Sequence, residues 1–189
     1  MKKTTSRMII GITGMPGSGK STAIELLGEM GFKVMNISDY IKEEMELEHI
    51  PLTHKNLEDF AVELRKRLGP GAPIILATRG LNRMRGDVAI AGMRDVDEIA
   101  YMRKKLELRF PLIVISLPTR ERYLRIRHRH VKGDIKDFKE FQWRDRRNVR
   151  LGIGKVLKMA DVVIANTGTK AEFRKNLKGA VAALRASAK

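Results

Sequence analysis

An apolar run that leads directly into a glycine-rich turn constrains this chain more than any other feature. Residues 8–13 (MIIGIT) carry no charge, and residues 14–21 (GMPGSGKS) fit the pattern G-x-x-x-x-G-K-[ST]. In this pattern a buried strand enters the turn and a helix leaves it, and the main-chain N–H groups between them point inward. The sequence therefore predicts a strand–turn–helix unit with a phosphate site at the turn, here called the phosphate loop.

Residue types in the phosphate loop match the chemistry of a nucleotide triphosphate tail. Glycines allow the backbone to curl, Lys20 places a cation on the β- and γ-phosphate oxygens, and Ser21 offers a hydroxyl to Mg²⁺. A glycine turn without a ligand is the alternative, and the predicted strand and helix on either side argue against it. The predicted nucleotide-binding residues are Gly14, Met15, Pro16, Gly17, Ser18, Gly19, Lys20, Ser21 and Thr22.

Apolar runs alternate with helical patterns along the rest of the chain, which is typical of a parallel α/β sheet. The predicted strands are 8–13, 32–37, 87–91, 112–117 and 162–165. The predicted helices are 21–30, 39–48, 56–68, 73–84, 95–108, 119–130, 138–150 and 170–187. These elements predict a three-layer α/β fold in a single domain, 1–189, with a five-stranded parallel sheet flanked by helices.

Composition narrows the class of protein further. The chain has 189 residues and no Cys, so disulfides and cysteine metal sites are excluded and a reducing compartment is favoured. No apolar run is long enough to cross a bilayer. The basic start is followed by a short apolar stretch that runs into glycines, which argues against a signal peptide. We expect a cytoplasmic protein with no membrane partner.

Positive charge is concentrated in one part of the chain. The formal net charge is +16, which favours polyanionic ligands such as nucleotides, phosphorylated coenzymes or RNA. Residues 119–158 hold 14 Lys and Arg against 5 Asp and Glu. Two predicted helices there each carry three arginines on one face: Arg122, Arg125 and Arg129, then Arg144, Arg147 and Arg150. A solvated charged surface and an RNA-binding surface are the alternatives to a small-ligand site.

Six short segments spread over nearly the whole chain carry a family resemblance. They are 10–21 (IGITGMPGSGKS), 38–41 (SDYI), 92–94 (GMR), 144–147 (RDRR), 151–154 (LGIG) and 160–168 (ADVVIANTG). Together they resemble an archaeal family of P-loop kinase-like proteins that is related to dephospho-coenzyme A kinase and adenylate kinase. The resemblance implies nucleoside-monophosphate-kinase topology and ATP as the phosphoryl donor. It does not fix the acceptor.

The resemblance also implies roles for residues outside the phosphate loop. Asp39, after the second strand, is the candidate base or the holder of a magnesium-bound water; the alternative is a cap on a helix beginning at Tyr40. Arg94, after the third strand, is the candidate residue that binds the phosphate of the acceptor. Its alternative is a surface ion pair with Asp95 or Asp97.

Two further regions gain predicted roles in the same way. Residues 119–150 resemble the arginine-bearing lid of adenylate kinases, and we expect Arg125 and Arg129 to contact the γ-phosphate when the lid closes. Asn166 and Gly168 follow the last strand and are the candidate adenine contacts. The alternative for this loop is an ordinary strand-to-helix turn capped by Thr167 or Thr169.

One position departs from the family pattern. Relatives usually carry an Asp at the end of the third strand, bound indirectly to Mg²⁺, whereas this chain has Ala91 there. Asp87 is predicted at the opposite end of the strand. Because phosphoryl transfer depends on positioning and electrostatics, the loss of this carboxylate should weaken metal placement.

Two functions from different classes follow. The first is transfer of the γ-phosphate of MgATP to a small phosphorylated acceptor, either a nucleoside monophosphate or dephospho-coenzyme A. The second is a nucleotide-dependent RNA- or ribosome-binding factor with weak ATPase activity, which Ala91 and the basic segment favour. The sequence leaves open the choice between ATP and GTP and the oligomeric state.

Overall fold

The computed structural model describes residues 7–106, 110–129, 135, 137–150 and 152–187. Some predicted features lie outside these described residues. They are residues 107–108 and 130 at the ends of two predicted helices, residues 130–134 and 136 of the predicted lid, and the first residue of the 151–154 segment.

Five strands form one parallel sheet in the order β2-β3-β1-β4-β5. The strands are β1 (Ile9–Thr13), β2 (Lys33–Asn36), β3 (Val88–Ala91), β4 (Leu112–Ser116) and β5 (Val162–Ala165). In the centre of the sheet, Ile12 of β1 lies beside Ala91 of β3 on one side and Ile113 of β4 on the other. The predicted five-stranded parallel sheet is confirmed.

Helices cover both faces of the sheet. They are α1 (Lys20–Glu29), α2 (Ile37–Leu47), α3 (His54–Leu68), α4 (Ala72–Thr78), α5 (Val96–Lys105), α6 (Thr119–His128), α7 (Phe138–Arg150), α8 (Ile153–Leu157) and α9 (Lys170–Ser187). Among the described residues, none of these helices has the length and apolar character needed to cross a membrane.

The two faces of the sheet build separate cores because side chains alternate along each strand. Ile9 packs in the larger cluster, with apolar residues of α2, α3, α4 and α5. Ile10 and Ile12 point the other way and pack against α1 and α9, where Leu27 and Leu177 are fully buried. Burial on both faces explains why β1, β3 and β4 read as nearly continuous apolar runs.

Two details of the predicted helices are wrong. The helix predicted over 73–84 stops at Thr78, because Arg79 and Gly80 form a turn against the preceding helical carbonyls, and a short 3₁₀ turn, Leu81–Arg83, follows. Helix α8 was missed. It is only five residues long and begins after Gly152, whose φ of 107° lies in the left-handed region that favours glycine.

The carboxyl ends of the strands bring four connecting segments to one edge of the sheet. There β1 runs into the phosphate loop, β3 into residues 92–94, β4 into α6, and β5 into Asn166. Thr13 Oγ1 donates a hydrogen bond to the Met93 carbonyl oxygen at 2.8 Å and so fastens the first two segments together. Ligands of open parallel sheets bind at this edge.

Candidate active site

The phosphate loop has the backbone that its sequence predicted. Gly17 and Gly19 have φ angles of 79° and 102°, which side-chain-bearing residues rarely adopt. Both positions are also crowded, since a Cβ on Gly17 would lie 2.7 Å from the Arg122 carbonyl oxygen and one on Gly19 would overlap Asn166 Nδ2. Helix α1 begins at Lys20, so its N-terminal amides face the loop.

The Lys20 side chain contacts the backbone of the phosphate loop. Its Nζ donates to the carbonyl oxygens of Gly14 at 2.8 Å and Met15 at 3.1 Å. Burial, together with the positive charges of Arg94, Arg122 and Arg129, lowers the pKa of Lys20 to about 7. An anion beside this amine would relieve the repulsion and stabilise its charged form.

We predict that the affinity for MgATP falls as the pH rises above 7. The bound triphosphate favours charged Lys20, whereas the amine of the free protein loses its proton through a pKa of about 7. Affinity is therefore full below pH 7 and weakens by up to about tenfold per pH unit above it. Isothermal titration at pH 8 in two buffers of different ionisation enthalpy should reveal proton uptake on binding. Uptake near zero would contradict the prediction.

A cavity of about 430 Å³ opens beside the phosphate loop, and a smaller one of about 40 Å³ adjoins it. One wall of the larger cavity consists of loop and α1 residues, Pro16, Gly17, Gly19, Lys20, Ser21 and Thr22. The facing walls carry polar side chains from other elements, Glu58, Arg94, Arg125, Arg129, Arg144, Asp145 and Asn148. The excess of cations in these walls suits a polyanionic ligand.

Arg94 enters both cavities from the segment after β3. Its amide N–H donates to Glu98 Oε2 at 2.7 Å, and Glu98 in turn accepts from Arg65 at 2.7 Å. Burial lowers the pKa of Arg94, and the negative charge of Glu58 partly opposes this shift. The guanidinium makes no hydrogen bond or ion pair to any residue the structure describes, so the alternative of a surface pair with Asp95 or Asp97 is wrong.

Some arginines of residues 119–150 line the cavity, whereas others bind groups of the protein itself. Arg125 and Arg129 line the cavity, as does Arg144, which also pairs with Glu140 at 2.8 Å. Arg125 donates to the Asn166 carbonyl oxygen at 2.7 Å. The structure thus brings Arg125 and Arg129 to the phosphate loop, and their part in lid closure stays a prediction.

Arg122 has a different place from the one its spacing suggested. It is only 4% exposed, and both terminal nitrogens of its guanidinium donate to the Asp145 carboxylate. It also donates to the Pro16 carbonyl oxygen at 3.1 Å and to Thr119 Oγ1 at 3.3 Å. Arg122 therefore fastens α6 and α7 to the phosphate loop.

The loop after β5 meets the phosphate loop through one side chain. Asn166 is buried, and its Nδ2 donates to the Ser18 carbonyl oxygen at 2.8 Å. Gly168 is exposed and lines neither cavity. Thr169 caps α9, accepting from the Glu172 N–H at 3.2 Å, so the capped-turn alternative is confirmed. Contact of Asn166 or Gly168 with adenine stays a prediction.

Asp39 lies away from the other predicted site residues. It is exposed in the first turn of α2, its carboxylate pairs with Lys42 Nζ at 2.9 Å, and it lines neither cavity. The alternative that Asp39 caps a helix starting at Tyr40 is wrong, because α2 begins at Ile37 after the N-cap residue Asn36. A role for Asp39 as base or as holder of a magnesium-bound water stays a prediction.

Buried Ala91 ends β3, as expected, and Asp87 precedes the strand at its far end. A carboxylate that sequence reasoning missed lies in the cavity instead. Glu58 of α3 is 8% exposed and pairs with Arg147 at 3.5 Å. In the sequence, Glu58 is marked only by its position beside the apolar stripe of α3, in which Phe60 is buried.

We predict that Gly19→Ala destabilises the protein and abolishes nucleotide binding. A left-handed residue with a side chain costs about 1–2 kcal/mol, and the methyl group would also displace Asn166. Gly28→Ala is the matched control, since Gly28 lies exposed within α1 with nothing near its would-be Cβ. It should add roughly 0.5–1 kcal/mol to the free energy of unfolding. Urea denaturation and nucleotide titration of both variants would check this, and equal behaviour would contradict it.

The sheet order, the phosphate loop and the arginine-lined cavity define a P-loop nucleotide-binding protein with a kinase-like fold. Residues 10–150 match the family described as AAA domain. A UPF0200 protein of Pyrococcus horikoshii is 36% identical over 178 residues, covering 92% of this chain and 96% of its own length. Another, of Saccharolobus islandicus, is 36% identical over 168 residues, covering 88% of each chain. The chain therefore belongs to the AAA domain family and to the UPF0200 proteins.

Solved structures with this fold include small-molecule kinases. Shikimate kinase from Acinetobacter baumannii, in complex with shikimate, superposes with a TM-score of 0.64 at 15% identity and covers 95% of both chains. A gluconokinase from Sinorhizobium meliloti gives a TM-score of 0.57 at 15% identity and covers 95% of this chain and 94% of its own. The kinase-like fold is thus confirmed, whereas the closer relation to dephospho-coenzyme A kinase and adenylate kinase stays a prediction.

Proposed function

We propose that the protein transfers the γ-phosphate of MgATP to a small acceptor, either a nucleoside monophosphate or dephospho-coenzyme A. The observation that carries this proposal is that Lys20, the N-terminus of α1 and the side chains of Arg94, Arg125 and Arg129 line one cavity. Arg94 offers an acceptor a cation beyond those that serve the triphosphate, which suits a transfer reaction better than simple storage of a nucleotide.

The residues present fit a magnesium-bound triphosphate. Main-chain amides of the phosphate loop and Lys20 are donors to phosphate oxygens, and exposed Ser21 offers its hydroxyl to Mg²⁺ from the cavity wall. The described residues contain no cluster of three or more His, Cys, Asp or Glu, so the ion would arrive with the nucleotide.

Residues of the cavity walls, and three predicted residues outside them, have parts in the proposed transfer. Lys20 holds the oxygens between the β- and γ-phosphates, where negative charge develops as the bond breaks. Arg125 and Arg129 neutralise the γ-phosphate and exclude water when the lid closes. Arg94 binds the anionic part of the acceptor, and Asn166 with Gly168 contacts the base. Asp39 would need to move toward the cavity to organise magnesium or accept a proton.

The solved structures with this fold support transfer to a small acceptor. One is shikimate kinase in complex with shikimate, and another is a gluconokinase. The cavity of about 430 Å³ lies within the size range of small-molecule sites.

A nucleotide-dependent RNA- or ribosome-binding factor is the second candidate, favoured by Ala91 at the end of β3 and by the net charge of +16. Two arginines of the basic segment are held in ion pairs within the protein, however: Arg122 pairs with the partly buried Asp145, and Arg147 pairs with the exposed Asp59. Arginines held in these ion pairs are less available to a polyanionic partner at the surface.

Turnover of MgATP against AMP, CMP, UMP, dephospho-coenzyme A, nucleosides and RNA ends tests the proposal. Transfer to a small acceptor is the expected result. Transfer to none of them, together with tight RNA binding that falls steeply with salt, would favour the second candidate instead. The same assay with GTP in place of ATP measures which purine nucleotide the protein prefers. The cytoplasmic location stays a prediction.

A further inference from the structure

We propose that the outer face of α7 binds single-stranded nucleic acid, at a surface separate from the nucleotide cavity. Four exposed side chains form this surface, here called the α7 stripe: Lys139, Trp143, Arg146 and Arg150. Binding there goes beyond the proposed transfer and does not depend on it, because the stripe and the cavity belong to opposite faces of the same helix.

Helical spacing places the α7 stripe opposite the cavity. Its members follow one another at intervals of four, three and four residues, so their side chains share one narrow face of α7. The residues of α7 that line the cavity belong to the other face: Phe141, Arg144, Asp145 and Asn148. Phe141 and Asn148 are buried, whereas every member of the stripe is exposed. A ligand on the stripe therefore does not compete for the phosphate loop.

Three cations of the α7 stripe can meet an anionic backbone. Lys139, Arg146 and Arg150 make no ion pair with any residue that the structure describes. Both acidic residues of α7, Glu140 and Asp145, lie off the stripe and pair with other arginines. The stripe thus carries positive charge alone over about 16 Å, which is the length of about five stacked nucleotides.

Trp143 supplies an aromatic surface between these charges. It is the one tryptophan of the chain, and 48% of the residue is exposed. The Arg147 guanidinium lies over the ring, 5.4 Å from its centre, and Arg147 in turn pairs with Asp59 of α3. This contact holds the ring against the protein while about half of the residue stays open to solvent. A ring placed in this way can stack on any base, because every base has a π-face.

An aromatic ring flanked by cations favours nucleic acid over other polyanions. A nucleic acid offers a base to Trp143 and phosphates to the neighbouring cations at the same time. An acidic peptide or a polyphosphate offers charge alone and leaves the exposed ring unused. Single strands fit better than duplexes, because their bases can unstack and meet an aromatic side chain. The net charge of +16 attracts any such strand from a distance.

The fluorescence of the single tryptophan reports on this surface directly. Oligouridylate and oligothymidylate of about ten nucleotides are titrated into the protein at several salt concentrations, with and without saturating MgATP. We expect both oligomers to quench Trp143, and log affinity to fall with log salt at a slope of about −2, since three cations contribute about 0.7 each. Quenching should persist with MgATP present. Polyphosphate and polyglutamate are the controls and should leave the fluorescence unchanged.

Two double variants remove the same charge from different helices, and the anisotropy of labelled oligouridylate measures their affinity. Arg146→Gln with Arg150→Gln should weaken binding by at least about tenfold and reduce the salt slope to about −0.7. Lys175→Gln with Lys178→Gln, at exposed positions of α9, is the matched control and should stay within about threefold of wild type. Trp143→Leu should weaken binding by about 5- to 100-fold, whereas Trp143→Phe should keep most of the affinity.

Several results would overturn the assignment of the α7 stripe. Equal losses in the two double variants would mean that total charge sets the affinity. Displacement of the oligomers by MgATP would place them in the nucleotide cavity, and quenching by polyglutamate would indicate an acidic protein partner instead. Absence of binding to either oligomer would also defeat it. Failure of phosphoryl transfer would leave these measurements unaffected, so the two proposals stand or fall separately.

Discussion

Lys20→Met is expected to lower kcat for phosphoryl transfer by roughly 10²–10³-fold, the loss that follows removal of one preorganised donor to a developing charge. It should also weaken MgATP binding by about 1.5–3 kcal/mol, the worth of a hydrogen bond to a charged group. The amine that is removed donates to two carbonyl oxygens of the phosphate loop. No other lysine is among the described residues that line the two cavities, so none is in place to substitute for it.

Stability of the same variant separates loss of function from loss of fold. Burial and three arginines disfavour the charge of Lys20 in the free protein, as its lowered pKa of about 7 records. Lys20→Met should therefore melt no lower than wild type, yet lose the rise in Tm that MgATP causes. Lys175→Met, at an exposed position on α9, is the control and should keep both properties. A variant that melts far lower than wild type would contradict this reading of Lys20.

The sequence predicted the sheet well because local patterns carry that information. The central strands β1, β3 and β4 are buried on both faces, so residues 8–13 and 112–117 read as apolar runs whatever the tertiary context. The helix predicted over 73–84 was carried through Gly80, although glycine is a poor helix former. The apolar run 73–78 forms α4, and the more polar residues after Gly80 form only a short 3₁₀ turn.

The residues of the candidate site also differ in whether the sequence predicted them. The phosphate loop is contiguous, so its pattern predicted the backbone at Gly17 and Gly19 and the position of Lys20. Glu58 and Asn148 come from α3 and α7, and only the tertiary arrangement brings them to the cavity with Arg94. No spacing within α3 or α7 encodes that meeting, which is why sequence reasoning missed both.

The arginine-rich segment shows the limit of helical spacing as evidence. The pattern placed Arg122, Arg125 and Arg129 on one face, which agrees with their common approach to the phosphate loop. It did not separate the one that binds Asp145 from the two that line the cavity. The distinction depends on Asp145, which lies on another helix, and a single helix pattern contains no such information.

Arg122→Met is expected to cost about 3–5 kcal/mol of the free energy of unfolding, because it leaves Asp145 as an unpaired and largely buried charge. Exposure of the two side chains is 4% and 16%, so solvent screens the pair weakly. For a domain of this length the melting temperature should fall on the order of 10 °C. Nucleotide affinity should fall as well, since Arg122 also binds the Pro16 carbonyl oxygen of the phosphate loop.

Two further variants establish the cause. Arg122→Met combined with Asp145→Leu should recover much of the lost stability, because a buried ion pair replaced by apolar side chains is often close to neutral. Arg174→Met breaks an ion pair with Glu29 whose side chains are 41% and 49% exposed, and it should cost less than about 1 kcal/mol. Nucleotide affinity should stay low in the double variant, since the bond to Pro16 is not restored. If the double variant were no more stable than Arg122→Met alone, the loss would come from the contacts to Pro16 and Thr119 and not from the stranded carboxylate.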